Sequence, residues 1–369
     1  MKHASIVFRR HRNNTIFEGN EGANFGGWYF PFHRLREGFR AVGIELSTID
    51  MNAGREVLFE IHINVQRRRS KVPMYCYLYE HPHVRGINGS VSLLARYRQV
   101  YTWNEAFIDE RLVHRLEIPN DLTPRPMPTF DQRDIFCAMI AKNKEMRRPS
   151  DISLYQERLR LIRGFEQHAP ELFSLYGKAW DIPPVGPGFG NRIVKLYQQW
   201  RHRRSGTRPF PSWRGTVASK DDVLQHAKFS LCYENLRGGK GYLTEKLFDA
   251  IANGCLPVYA GASDIDARVP RECYVDGTQF PDVPALIDHL KGIHATEFAA
   301  RQSAMQAFMR SAAGLHHDQD HFCRTLQDGI LRDLGLLPAA TVISDQVQDP
   351  RANGQSMRPR AMRAKAPSV

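Results

Sequence analysis

Residues 228–261 read KFSLCYENLRGGKGYLTEKLFDAIANGCLPVYAG, and their pattern decides the fold. The apolar run Lys228–Tyr233 predicts a buried strand, polar ENLRGGKGY follows, and a helix is predicted from about Thr244 to Asn253. Gly254 supplies the helix stop, and Cys255–Tyr259 predicts the next strand. Strand, helix and strand in that order make a parallel pair with a covering helix. Gly238, Gly239 and Gly241 let the backbone take positive φ or come close to a ligand. The helix then offers free N–H groups and the positive end of its dipole, which suits a phosphate. Lys246 falls in its first turn, where that dipole disfavours a cation unless an anion lies between them. The placement points to a bound diphosphate; the alternative is an exposed lysine at a frayed helix start.

Outward from this stretch, strand-like and helix-like pieces alternate. Upstream, Ser5–Phe8, Gly43–Asp50, Met74–Tyr79, Val100–Thr102 and Leu116–Ile118 predict strands, and Phe32–Val42 predicts a helix. Val57–Val65 alternates, with Val57, Phe59, Ile61, Ile63 and Val65 expected on one face, as in a half-buried strand. Asn120–Arg133, rich in proline, reads as a linker. Beyond it, Ile135–Ile140 predicts a strand, Asp151–His168 a helix capped by Ser150 or Asp151, and Pro284 to about Leu334 further helices. The expectation is two α/β domains, 1–125 and 131–335, facing a cleft, followed by a basic, disordered tail over 336–369.

The helix Asp151–His168 carries a second clue. Leu154, Tyr155, Leu161, Ile162 and Phe165 form its apolar stripe, and Arg158 projects into the middle of it. A guanidinium on a core-facing side needs a partner, because it stays charged and an unpaired buried charge is very costly. That partner is either an internal carboxylate or a ligand phosphate.

The composition sets limits. The chain has 369 residues, 42% hydrophobic and 24% charged, as in an ordinary globular protein, and it holds no apolar run long enough to predict a membrane span. Six cysteines, Cys76, Cys137, Cys232, Cys255, Cys273 and Cys323, lack CxxC spacing, so neither a zinc site nor a disulfide framework is expected, and a reducing cytoplasm is the simpler setting. The net charge of +12 fits nucleic acid, an anionic membrane surface or a polyanionic substrate. Part of it is local, in RHRRSGTR (Arg201–Arg208) and the C-terminal RANGQSMRPRAMRAK, both without helical or strand periodicity. The aromatic-and-basic pattern of RNA-binding folds and zinc-finger spacing are both lacking, so no nucleic-acid partner is expected and peripheral contact with an anionic bilayer is the better functional reading of that charge; for the tail, solvated flexible charge is the alternative.

At the residues Tyr233-Glu234-Asn235, Gly241-Tyr242-Leu243-Thr244-Glu245-Lys246-Leu247 and Gly254-Cys255-Leu256-Pro257-Val258-Tyr259-Ala260-Gly261, the chain resembles glycosyltransferase family 10, the alpha-1,3/1,4-fucosyltransferases, in particular its bacterial branch. LYQERLRLIRGFEQHAPELFSLYGKAWD and WRGTVASKDD look like the stretches that precede this signature, and YLYEHPHV and VYTWNEAFID like pieces of the acceptor side. The resemblance implies a GT-B fold, two Rossmann-like domains, and inverting transfer of L-fucose from GDP-L-fucose to a hydroxyl of a glycan such as lipopolysaccharide. Carried over residue by residue, Glu245 resembles the glutamate on the nucleotide ribose, Lys246 and Arg158 the basic residues on the diphosphate, and Asn235 and Tyr242 further donor-site positions.

Inverting transfer needs a base for the acceptor proton. Glu80, at the end of a predicted strand, resembles the family's acceptor-side glutamate, although YEHPH departs from the usual glutamate–asparagine run. The alternatives are an ordinary strand-end carboxylate for Glu80, or His81 or His83 as the base. Asp264–Asp266 (DID) and Asp221-Asp222 read as turn and helix-cap residues rather than a metal site. With arginine and lysine on the phosphates, no metal or other cofactor is required, and a divalent cation remains an option. Rival functions are the same scaffold with a different nucleotide sugar, and a basic nucleic-acid- or glycan-binding protein without catalysis.

Overall fold

The computed structural model describes residues 1–8, 11–18, 30–144, 150–182 and 189–338. The basic C-terminal run expected in the tail lies outside them. Six strands form the first sheet: β1 (Lys2–Val7), β2 (Ile44–Thr48), β3 (Glu60–Ile63), β4 (Met74–Leu78), β5 (Gln99–Thr102) and β6 (Val113–Arg115). Their order is β2-β1-β3-β4-β5-β6, and every pairing is parallel. The second sheet holds β7 (Ile135–Ile140), β8 (Phe173–Tyr176), β9 (Ala227–Tyr233), β10 (Leu256–Ala260) and β11 (Val275–Asp276), in the order β11-β10-β9-β7-β8, again all parallel. Parallel strands need crossovers, which the helices supply. These are α1 (Phe30–Ala41), the short α2 (Val91–Leu94), α3 (Tyr155–His168), α4 (Phe189–Ser205), α5 (Lys220–Leu224), α6 (Glu245–Ala252), α7 (Val283–Gly292), α8 (Ala295–Arg310), α9 (Ala312–Leu315) and α10 (Gln319–Asp333). Two parallel α/β halves are thus present, as the alternation predicts.

Several local expectations are corrected. The alternation in Val57–Val65 predicts one buried face, yet all four residues of β3 are buried. A strand inside a parallel sheet is covered on both faces. The polar side of the alternation therefore satisfies itself internally: His62 Nε2 lies 2.8 Å from Glu60 Oε2, and Arg68 and Ser70 donate to Glu60 Oε1 at 2.9 Å each. Leu116–Ile118 is not a strand. The sheet ends at Arg115, opposite Thr102, and Leu116 and Ile118 are buried outside it. The helix expected from Asp151 starts at Tyr155, without a cap from Ser150 or Asp151. Residues 151–154 are held instead by the loop after β9, through Leu154 N–H to Asn235 O at 3.1 Å and Arg237 N–H to Ile152 O at 2.7 Å. Arg201–Ser205, expected to lack periodic structure, ends α4.

The last helix crosses back to the first sheet. Cys323 Sγ meets Pro31 O at 3.1 Å, the Phe322 ring packs edge-on against Tyr77 at 4.8 Å, and Arg34 pairs with Asp320. Where the chain turns for this crossing, Asn120 N–H donates to His317 O at 2.9 Å and Gln319 N–H returns to Asn120 O at 2.9 Å. α10, at the end of the second domain expected over 131–335, thus packs on the first sheet.

His317 is 3% exposed, sits 4.7 Å from the Phe248 ring, and has no hydrogen-bond partner at Nδ1. Burial, followed by the nearby Arg268, His316 and His321, pushes its pKa down to about 3. An unfolded histidine accepts a proton below about pH 6.5, and the folded state refuses it. Stability is therefore complete above about pH 6.5 and falls as pH drops towards the folded value. His317→Phe removes this proton uptake. Urea denaturation should show wild type losing about 1–2 kcal/mol more than the variant between about pH 7 and pH 5. Parallel pH profiles would remove His317 as the source.

Candidate functional site

In parallel α/β sheets, ligands bind beyond the carboxyl ends of the strands. Here the ends of both sheets meet at one cleft of about 430 Å³. Tyr79 and Glu80 reach it from the end of β4; Lys142 and Lys144 from β7; Lys178 from β8; and Asn235 from β9. Arg158 of α3, Lys220 of α5 and the start of α6 complete the lining. All six sequence-predicted site residues, Glu80, Arg158, Asn235, Tyr242, Glu245 and Lys246, line this one cleft. Lysines and arginine outnumber carboxylates in its wall, so the cleft suits an anion.

The floor is built by the chain segment between β9 and α6. Glu234, directly after β9, has no solvent exposure. Its Oε1 accepts Thr244 N–H at 2.9 Å, and its Oε2 accepts Thr244 Oγ1 at 2.8 Å and Lys246 Nζ at 3.2 Å. Thr244 is the N-cap of α6. One buried carboxylate therefore fixes both where the helix starts and where its first lysine points. Lys246 is not the exposed lysine of a frayed end: its side chain is 19% accessible, and its ammonium also meets Thr244 Oγ1 at 3.0 Å and Glu245 Oε1 at 3.3 Å. Burial works against that ammonium, but Glu234 and Glu245 outweigh it and raise its pKa. For Glu245, burial is overcome by Lys246 and Lys220, and its pKa falls to about 2. The anion expected between the lysine and the helix dipole is thus in part internal.

Arg158 is 5% exposed. Among the described residues its hydrogen-bond partners are neither carboxylates nor other charged groups. Nε donates to Tyr233 O at 3.0 Å, and Nη2 donates to Asn235 Oδ1 at 3.0 Å. The Tyr155 ring lies under the guanidinium, 5.0 Å away. Asn235 Nδ2 then donates to Tyr242 OH at 3.3 Å, so Arg158, Asn235 and Tyr242 form one chain along the wall. Carbonyl and amide oxygens hold the guanidinium without neutralising it, and its charge remains available to the cleft.

Glu80 is presented by a rigid backbone. Asn64 takes a left-handed φ of 63°, and its Oδ1 accepts Glu80 N–H at 2.8 Å and Tyr79 N–H at 3.0 Å. Asn88 Nδ2 donates to Glu80 O at 2.7 Å. Burial raises the Glu80 pKa, partly offset by Lys144, Arg85 and Lys246. A base gains from such a shift, because its proton affinity moves towards neutrality. His81 and His83 do not line the cleft; the His83 N–H and ring turn to His81 Nδ1 at 3.1 and 3.2 Å, and burial lowers the His81 pKa to about 4.

Sequence reading missed several contributors. Trp103 joins the halves: its Nε1 donates to Tyr79 O at 2.9 Å, and its ring lies 4.8 Å from that of Tyr242. Lys144 lines the cleft, and Lys220, also in the lining, is bound to Asp249 at 2.6 Å. No periodic pattern marks these residues; for Lys144, a lysine just past a strand end is the available signal. Asp264 does more than sit in a turn. It accepts Gly241 N–H at 2.9 Å and pairs with Arg268 at 2.5 Å, while Arg268 reaches Glu117 at 2.7 Å and Glu105 at 2.8 Å. Asp221 pairs with Arg125 at 3.1 Å, and Ser219 is the cap of that helix.

Residues 196–326 match the family model for the glycosyltransferase family 10 (fucosyltransferase) C-terminal domain. An alpha-(1,3)-fucosyltransferase of Helicobacter pylori is 33% identical over 78 residues, which are 21% of this chain and 16% of that protein. An alpha-(1,4)-fucosyltransferase of Arabidopsis thaliana is 38% identical over 69 residues, 19% of this chain and 17% of that one. The matched segments thus span about a sixth of the curated relatives. In three dimensions, the chain superposes on an alpha1,3-fucosyltransferase crystal structure with TM-score 0.50 at 14% identity, covering 90% of each chain. Anabaena HepE in complex with UDP-glucose gives TM-score 0.52 at 10% identity, over 90% of this chain and 100% of that one. These likenesses show the GT-B fold, and the sequence match bears out the family resemblance.

At Gly241 the backbone of the second half lies against that of the first. The Gly241 φ is +81°, and a Cβ there would lie 2.3 Å from the backbone oxygen of Trp103. Gly241→Ala therefore combines a disfavoured conformation with a backbone clash, and should cost about 2 kcal/mol or more in chemical denaturation. A loss within the ~0.5 kcal/mol of a neutral surface change would show that the halves separate freely here.

Proposed function

We propose that this chain, whose residues 196–326 carry the family-10 fucosyltransferase domain, transfers L-fucose from GDP-L-fucose to a hydroxyl of a glycan acceptor with inversion at the anomeric carbon. The observation that carries the reading is the convergence of Arg158 and Lys246, 88 positions apart by their numbers, on one cleft. In this reading the two cations take the diphosphate, and Glu245 takes the ribose hydroxyls. Asn235 and Tyr242 hold the donor beside them. Glu80, across the cleft, removes the acceptor hydroxyl proton as the acceptor oxygen bonds to the anomeric carbon. The bond from that carbon to the diphosphate oxygen breaks on the opposite face, and GDP leaves with its growing charge matched by Arg158 and Lys246. Because side-chain cations answer that charge, the reaction in this reading needs no metal, and turnover should persist with a chelator. We assign the acceptor to a surface glycan of the lipopolysaccharide type, and the reaction to the cytoplasm at the inner face of a membrane. The fold likeness extends to HepE in complex with UDP-glucose, so a different nucleotide sugar is the second reading. GDP raising the thermal midpoint more than UDP supports the first, and the reverse supports the second.

Arg158→Ala and Lys246→Ala should each weaken GDP binding by about 1.5–3 kcal/mol, roughly 10- to 150-fold in Kd, the range for hydrogen bonds to charged groups. Lys246→Ala also strips buried Glu234 of its cation, so the double variant Lys246→Ala, Glu234→Gln is measured beside it. Unchanged affinity by calorimetry would remove both assignments. Glu80→Gln should keep GDP binding and lower kcat about 10²- to 10⁴-fold. Only the deprotonated base works, so kcat/KM should rise with pH through an acid limb set by the raised Glu80 pKa, above the ~4.3 of a free glutamate. Near-normal turnover in Glu80→Gln rejects it as the base.

A further inference from the structure

Helix α4 faces the opposite way from a helix packed on a core. Ile193, Leu196, Tyr197 and Trp200 recur at i, i+3, i+4 and i+7, the spacing of one apolar stripe. They are 64%, 60%, 58% and 54% exposed, and Val194 beside them is 40% exposed. On the other side, polar Gln198, Gln199 and His202 are half-buried. Single exposed hydrophobic residues are ordinary, but a contiguous stripe of this kind marks a surface that meets something.

Charge indicates what it meets. Between Asp181 and Asp221 the sequence has six arginines, one lysine besides the cleft residue Lys220, and not one carboxylate. Arg201, Arg204 and Arg208 are exposed, and the Arg204 guanidinium lies 5.3 Å from the Trp200 ring centre. The Tyr197 and Trp200 rings are 6.1 Å apart and stacked. A second copy of this chain would set the same positive charge across the contact, with no local carboxylate to answer it. A surface of anionic headgroups above hydrocarbon answers both features. Apolar side chains enter the acyl boundary, tyrosine and tryptophan sit at headgroup depth, and arginines meet phosphates. With 17 residues the helix is long enough to lie along such a surface. No helix among the described residues is long and apolar enough to cross a membrane.

We infer that α4 is a membrane-docking helix, lying in the headgroup layer of an anionic bilayer with the stripe Ile193–Leu196–Tyr197–Trp200 inward. This docking is independent of which sugar the cleft takes. The test is co-sedimentation of the full chain with vesicles of phosphatidylcholine alone and of phosphatidylcholine with phosphatidylglycerol. The native chain should bind the anionic vesicles, lose binding as salt rises, and bind neutral vesicles far less. The double variant Leu196→Ser, Trp200→Ser should bind the anionic vesicles ~10-fold or more weakly, because the apolar area that enters the bilayer is lost. Its thermal midpoint should be unchanged, since both side chains are exposed. Equal binding by the variant would assign attachment to the other basic segments and overturn the proposal. So would failure of the native chain to bind, or sedimentation velocity showing a dimer that depends on the stripe.

Discussion

Glu234 is a carboxylate at the end of a central strand, with no access to water. A charge in that position must be answered within the protein, and removing one partner of such a buried pair is strongly destabilising. Its partners are Thr244 and Lys246, 10 and 12 residues further on. Satisfying them pulls the glycine-containing loop into a tight return, starts α6 at Thr244, and holds the Lys246 ammonium at the cleft. The burial of one group therefore positions a charge that the proposed reaction would use. Arg158 is fixed by the same strand end, through Tyr233 O and Asn235 Oδ1. Both cations are aimed by the last residue of β9 and the two residues that follow it.

The other half is tied to this point through few groups, each with a steric or ionic reason. Trp103 holds Tyr79, whose neighbour Glu80 enters the cleft, and packs on Tyr242. Gly241 lies against the Trp103 backbone with no room for a side chain. Arg268 draws Glu105 and Glu117 of the first half to Asp264 of the second. Aromatic packing and a half-buried ionic cluster thus hold the wall that carries Glu80 against the wall that carries the two cations. A cleft held in this way is preorganised for charge development between its walls.

The second half was largely legible in the sequence, because strand, helix and cap signals coincide there. Ile135–Ile140 appears as predicted, and α6 is bounded by Thr244 and Asn253 as the pattern indicates. Arg158 was legible because a guanidinium on an apolar stripe is a local contradiction. Its partner was not, since a carbonyl at a strand end carries no sequence signal. Reading failed where tertiary contact replaced local preference. Residues 151–154 bond to the loop after β9 instead of beginning α3, and the polar residues of β3 pair with each other inside the sheet. Glu234 carries no role legible in the motif, because its partners become neighbours only after the loop closes. The return of α10 to the first sheet depends on Phe322 and Cys323 meeting Tyr77 and Pro31, a contact that no local pattern reveals.

The claim on which the functional reading stands is that two cations from distant parts of the chain share one diphosphate. The most direct test is a crystal structure of the protein with GDP bound. The expected result is diphosphate oxygens within hydrogen-bond distance of both the Arg158 guanidinium and the Lys246 ammonium, with the guanosine ribose at Glu245. A diphosphate that engages neither side chain, or nucleotide bound away from the cleft, would contradict it.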